Sequence, residues 1–230
     1  MGTILALALT GVLGWDSLPQ EAPRLAIALA PIVNTCDPKF PHADKEFVRA
    51  EMDGWIEKLL SKSAESSGYR LVGREKTGPA AKDLGIDFAN GRHRNLAQLT
   101  SLGTQVGAQF VILILVGKDS QKNAEVSSIL SNPGRPLSES KVEVRTWVAS
   151  VPDAKWLADG SKRAITGLAQ GPYFGTTRSG EITGNPDDIA QMTLLESKRR
   201  AEWLGRAAFS GAMQVLSNTL GFKQPEPPSR

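Results

Sequence analysis

The chain has 230 residues, 40% hydrophobic and 22% charged, which suits one medium domain with tails or two small domains, and excludes a disordered polyelectrolyte and a polytopic membrane protein. Lys and Arg number 27 against 24 Asp and Glu, a net charge of +3 that is too small a bias to imply a nucleic-acid partner. One cysteine excludes an internal disulfide and a multi-cysteine metal site, and two histidines leave little material for His-based chemistry.

The charge is unevenly placed. Residues 1–23 hold no Lys or Arg and only two acids, Asp16 and Glu21, so the remainder carries +5. The same stretch contains an apolar run from Ile4 to Trp15, broken by Thr10, Gly11 and Gly14. That run is too short to cross a bilayer, which takes roughly 20 residues. It matches the apolar core of a signal peptide, and Trp15-Asp16-Ser17-Leu18-Pro19 reads as a break after it. A first strand or helix packed on the core is the competing reading. Val33-Asn34-Thr35 before Cys36 does not form a lipobox, so a lipid anchor at Cys36 is not supported.

Arg24 to Val33 is almost continuously apolar and predicts a strand buried on both faces, ended or bent at Pro31. Asp44 is placed to cap a helix over 45–66, whose apolar stripe is Phe47, Val48, Met52, Trp55, Ile56, Leu59 and Leu60. Gly68 closes it, and Tyr69 to Arg74 reads as a second strand. Residues 75–93, rich in Gly, Lys and Asp, read as a loop or short irregular helix. Leu96, Leu99, Leu102 and Val106 predict another helix ending near Gly107. Phe110 to Gly117 is the clearest buried strand. Residues 118–140 are polar and read as a long loop with a turn at Asn132-Pro133-Gly134.

From Val142 to Val148, Val and Thr alternate with Glu143, Arg145 and Trp147, as in a half-buried antiparallel strand. Pro152 to Lys155 turns the chain into a hairpin partner at Trp156 to Gly160. Residues 165–187 read as a Gly-rich loop. A last helix runs from Pro186 to Leu220, with Leu194, Ala201, Leu204, Ala208 and Val215 facing the core. The Pro-rich end after Gly221 reads as a disordered tail. The predicted fold is an α/β sandwich of two or three layers with a mixed sheet, in the order β-α-β-α-β-β-β-α. The domain spans 24–221, after a leader at 1–23 and before a tail at 222–230.

Three short features resemble a family of bacterial envelope proteins. An opening strand ends in Pro (Leu25 to Pro31). A short strand ends in Arg (Tyr69 to Arg74). A Gly-Ala-Gln-Phe entry leads into a buried strand ending in Gly (Gly107 to Gly117). The family includes the curli-secretion channel subunit, the penicillin-binding-protein activator lipoproteins and the amino-terminal domain of the Tol-Pal propeller protein. The resemblance covers roughly residues 24–220. It implies an α/β sandwich that binds protein partners without catalysis. The chain lacks segments that alternate long enough for the channel subunit's membrane hairpins, so pore formation is not expected.

The chemistry-bearing residues form no constellation. His42 and His93 sit in no metal-ligand spacing and read as loop or cap residues. Cys36 lies in no nucleophile motif and reads as a buried thiol. Gly171 to Gly180 lacks the Gly-Lys-Ser/Thr of a phosphate loop. It does carry Tyr173, Phe174 and Arg178, a composition suited to protein contacts. Lys198, Arg199, Arg200 and Arg206 alternate with Glu196 and Glu202 at helix-pair spacing, which suits a solvated face better than a nucleic-acid footprint. The tryptophans at 55, 147, 156 and 203 read as core. The expectation is therefore a secreted or periplasmic, non-enzymatic module that binds another envelope protein. No cofactor, metal, nucleic acid or stable membrane insertion is expected. Arg145 and Trp147 on one sheet edge, with Tyr173, Phe174 and Arg178 on the loop, are the candidate contacts. The alternative is a cytosolic nucleotide-binding or enzymatic domain with its site at the carboxyl ends of the parallel strands, near Pro31, Gly73 and Gly117.

Overall fold

A computed structural model of the chain describes residues 24–37, 44–123, 138–171 and 186–224. The leader, His42, Tyr173, Phe174 and Arg178 lie outside the described residues. Among the described residues, seven strands form one mixed sheet, flanked by four helices. They are β1 (Leu25–Leu29), β2 (Val33–Asn34), α1 (Lys45–Ser66), β3 (Tyr69–Val72), α2 (Arg74–Asp83), α3 (Leu96–Gln105), β4 (Phe110–Asn123), β5 (Ser138–Ser150), β6 (Lys155–Ala158), β7 (Ile165–Gly171) and α4 (Pro186–Leu220). A single 3-10 turn, Gly91–His93, precedes α3.

The sheet runs β3-β1-β4-β5-β6. β2 continues β1 alongside β4, and β7 pairs with the far half of β5. β1 is parallel to β3 and to β4, as helical crossovers require. β4 and β5 are antiparallel neighbours over almost their whole length. Pro31 does interrupt the first apolar segment, which resumes two residues later as β2.

Period-two alternation divides the core into two layers. Ile27, Leu29, Ile112, Ile114, Val116, Val142, Val144 and Val148 face α1 and α4. Ala26, Ala28, Val111, Leu113, Trp147 and Ala149 share the other layer with Leu99 and Leu102 of α3 and Ala80 and Ala81 of α2. The result is a three-layer sandwich, as the element order implies.

α1 begins where Asp44 accepts the Glu46 amide at 2.9 Å and ends at Gly68, whose φ of +82° a residue with a Cβ rarely adopts. Val48, Met52, Ile56 and Leu60 form its buried stripe. Gly54 lies on the outer face with no atom within 4 Å of where a Cβ would sit. Gly54→Ala is therefore expected to stabilise the domain by about 0.5–1 kcal/mol through backbone entropy, read as a rise in the urea midpoint at constant slope.

Several expectations need correction. Residues 74–83 form a regular helix, although it contains Pro79. Tertiary contacts hold it there: Thr77 is buried with its hydroxyl donating to the Leu29 carbonyl at the end of β1, and Ala80 and Ala81 pack on the sheet. The polar stretch after Gly117 is not a loop throughout. β4 continues to Asn123 and β5 starts at Ser138, with a bulge between Val116 and Asp119. Residues 165–171 are a strand. Gly167 is what lets that strand lie under α4. A Cβ there would meet the Ala207 carbonyl oxygen at 1.8 Å, and a Cβ at Gly211 would meet Gly167 at 3.2 Å.

On α4, Ala201, Leu204, Ala208, Ala212 and Leu216 are buried, whereas Leu194 is 47% exposed. Beyond α4, Phe222 is buried and stacks on Tyr69, whose hydroxyl donates to the Leu220 carbonyl at 3.0 Å. Of the four tryptophans read as core, only Trp147 is buried. Trp55 and Trp203 are half-buried and share the Arg206 guanidinium between their rings at 5.5 and 5.3 Å, with Glu202 pairing to the same Arg206 at 2.8 Å. No described helix is long and apolar enough to cross a membrane.

Candidate functional site

The α2–α3 layer packs on β1, β4 and the end of β5 that carries Ala149. The odd-numbered face of β5 emerges from under the helices at Trp147 and continues through the half-exposed Arg145 and Glu143. Where it emerges, a groove of about 500 Å³ opens between this face, the turn before α3 and the segment after β6. Arg94, Leu115, Arg145, Trp147, Trp156 and Asp159 are among the residues that line it.

Each side chain is positioned by its own local structure. β6 pairs with β5 so that Trp156 stands opposite Ala149, on the same face as Trp147. Trp147 rests on Gly160, where a Cβ would sit 2.8 Å from the indole. Arg145 reaches over the same turn and donates to the carbonyls of Gly160 and Ser161 at 3.4 and 3.1 Å. Glu143 lies 3.8 Å from its guanidinium. Arg94 is fixed by donating to the carbonyls of Phe88 and Ala89 at 2.8 and 2.9 Å. Asp159 accepts the Ser161 amide and hydroxyl at 3.0 and 2.6 Å. The Ser161 hydroxyl, then its amide, Lys162 and the Trp147 indole, hold the Asp159 carboxyl below the usual carboxylate range, so it is anionic at neutral pH.

Arg145 and Trp147, singled out from the alternation of β5, thus line one groove. Tyr173, Phe174 and Arg178 lie outside the described residues. Sequence reasoning missed Arg94, Trp156 and Asp159 as groove residues. The hairpin register places Trp156 on the Trp147 face, and that was a usable signal. Nothing local announces that the turn at 91–96 meets it.

The carboxyl ends of the parallel strands carry a second polar cluster. Asn34 of β2 donates to Asp53 of α1 at 2.9 Å, and Arg74 lies 3.3 Å from the same carboxylate. Glu57 accepts both the Arg74 amide, at 2.9 Å, and its Nε, at 2.7 Å. Burial pushes the Asp53 carboxyl up to about 6, against the lowering effects of Asn34 and Arg74. The amino terminus of α2 is the place where a doubly wound fold would receive a phosphate. Here the Glu57 carboxylate occupies it, and the absence of a side chain at Gly73 makes room for that carboxylate, since a Cβ would sit 2.3 Å from Glu57 Oε1.

Cys36 is fully buried beside this cluster, its thiol donating to the Gly117 carbonyl at 3.0 Å. Burial, reinforced by the nearby Asp119, pushes the thiol well above its ordinary value, so it is held as the neutral thiol. The native protein is expected to react with a thiol-specific disulfide reagent orders of magnitude more slowly than the unfolded chain. Rapid labelling without denaturant would contradict the geometry.

No family model matches the chain, and no curated protein matches it either. Among solved structures it is similar to the lipoprotein GNA1162 of Neisseria meningitidis, at 14% identity over 77% of this chain and 98% of that one, with a TM-score of 0.40. It is also similar to the hypothetical protein CT253 of Chlamydia trachomatis, at 11% identity over 87% and 98% of the two chains, with a TM-score of 0.42. The C-terminal domain of LpoB from Escherichia coli is similar at 13% identity over 68% and 88%, with a TM-score of 0.35.

Proposed function

We propose that the chain is a secreted or periplasmic, non-enzymatic module of the bacterial cell envelope that binds another envelope protein. The observation that carries this reading is the groove: a concavity beside a half-exposed sheet face, lined by two indoles and two arginines. Aromatic and arginine side chains of this kind dominate protein-binding energetics. The apolar run of the leader and the resemblance of residues 24–220 to envelope α/β domains support the compartment.

The nucleotide-binding alternative has less support. Polar residues do converge near Pro31, Gly73 and Gly117, but they satisfy one another, and Glu57 stands where a phosphate would bind.

The test has two parts. Intact mass of protein from its native host should show removal of most of residues 1–23. A photo-crosslinking side chain at the exposed position Arg163, two residues beyond the groove residue Ser161, should capture an envelope protein in living cells. A full-length mass together with a cytosolic location and no crosslink would refute the reading.

A further inference from the structure

The net charge of the whole chain is +3. Three segments distant in sequence meet around the groove: 91–96, 143–147 and 159–163. Between them they hold Arg92, Arg94, Arg145, Lys162 and Arg163 against Glu143 and Asp159. Of these charged side chains, Arg94, Arg145 and Asp159 line the groove itself, two cations against one anion.

Two of these cations are prepared to receive an anion. Backbone carbonyls orient the Arg94 and Arg145 guanidiniums. Among the described residues no carboxylate pairs with Arg94, and Arg145 has one long ion pair, with Glu143 at 3.8 Å. Asp159 is committed to Ser161, to Lys162 at 3.9 Å and to the Trp147 indole, so it is not competing for either arginine. The half-buried Trp156 adds an apolar surface to the same groove.

We infer that the groove binds an extended acidic peptide segment of the partner, with carboxylates at Arg94 and Arg145 and a neighbouring apolar or proline side chain on Trp156. This rests on the protein-binding reading above and names the chemistry of the partner. A bidentate guanidinium–carboxylate contact suits arginines whose orientation is already fixed. The mixture of charges distinguishes the occupant. A uniform polyanion such as nucleic acid or an anionic lipid surface would meet Glu143 and Asp159 unfavourably, whereas a peptide can place its acids between them. The 500 Å³ concavity also suits a few side chains better than a flat membrane surface.

The experiment uses the full chain on an array of nonameric peptides graded by Asp and Glu content and by Leu, Trp and Pro content. Binding is expected to rise with acid content and to require an apolar neighbour. Arg145→Gln should weaken the best acidic peptide about tenfold, with partial rescue by Arg145→Lys. Arg163→Glu, at an exposed position where folding is not at stake, should weaken it about threefold, and more at low salt. Binding that is independent of acid content would overturn the inference. So would no binding above background, or tighter binding to a thymidine 20-mer or to phosphatidylglycerol vesicles than to any acidic peptide. If crosslinking still captures an envelope protein in those cases, the protein-binding reading stands and only the acidic occupant falls.

Discussion

Gly167→Ala is expected to be the most damaging single methyl group that can be added to this protein. The new Cβ would lie 1.8 Å from the Ala207 carbonyl oxygen and 2.8 Å from both the Ala207 carbonyl carbon and the Gly211 amide nitrogen. All three are backbone atoms of α4, so no side chain can rotate away. The helix must lift from β7, and it carries Leu204, Ala208, Ala212, Met213 and Leu216 with it out of close packing. Overpacking of a close-packed interior costs about 1–3 kcal/mol when side chains can adjust. A backbone clash lies at or above the top of that range, so the loss should reach roughly 3 kcal/mol or more. For a domain of this size that is a fall in Tm of about 6–12 °C. Gly117→Ala is the control: its nearest contact is the Glu143 carbonyl at 3.5 Å, ordinary van der Waals distance. Equal thermal stability of the two variants would show that β7 does not lie against α4 as described.

The second large effect is a pH dependence that resides in one carboxyl group. Asp53 has an ordinary value of 3.8 and is raised to about 6 in the fold. Its side chain is only 14% exposed, so the shift is not dissipated in solvent. Between these two values the folded state binds a proton that the unfolded chain has released. The contribution of Asp53 is therefore most favourable below about pH 4 and is lost as pH rises through 6. The full loss corresponds to about 3 kcal/mol at 1.36 kcal/mol per unit.

Asp53→Asn removes the ionisation and retains an oxygen for the Asn34 amide. Urea unfolding of the two proteins should give similar stabilities near pH 4. The variant should be the more stable by about 2–3 kcal/mol at pH 8, because the value of about 6 already contains the favourable Arg74 contact at 3.3 Å. A stability difference that does not change between pH 4 and pH 8 would contradict the buried, desolvated placement of Asp53.

Much of the scaffold was legible because it is apolar and periodic. β1 and the first half of β4 announce themselves as runs buried on both faces, and α1 as a stripe of Val48, Met52, Ile56 and Leu60 behind a capping Asp44. The elements that were not legible share a different physics. α2 contains Gly78 and Pro79, and it is helical because Thr77, Ala80 and Ala81 find partners on the sheet. β7 was read as a loop on account of its glycines. Gly167 is there for close approach, and that function cannot be distinguished from flexibility without knowing what lies above it.

The second half of β4 is polar because it leaves the core and is paired along a long hairpin with β5. The candidate site was half legible. Alternation put Arg145 and Trp147 on one face, but their neighbours Arg94 and Asp159 arrive from turns about fifty residues upstream and a dozen downstream.

The placement of α4 after all the described strands has a consequence for synthesis. One face of the sheet, including Ile112, Ile114, Val142, Val144 and Val148, is shared between α1 and a helix translated after the strands it covers. Until that helix emerges, the nascent protein displays a broad surface of branched aliphatic strands, the kind of surface that aggregates or engages holding chaperones. The same arrangement delays closure of that face until Ala201 to Leu216 of α4 have left the ribosome.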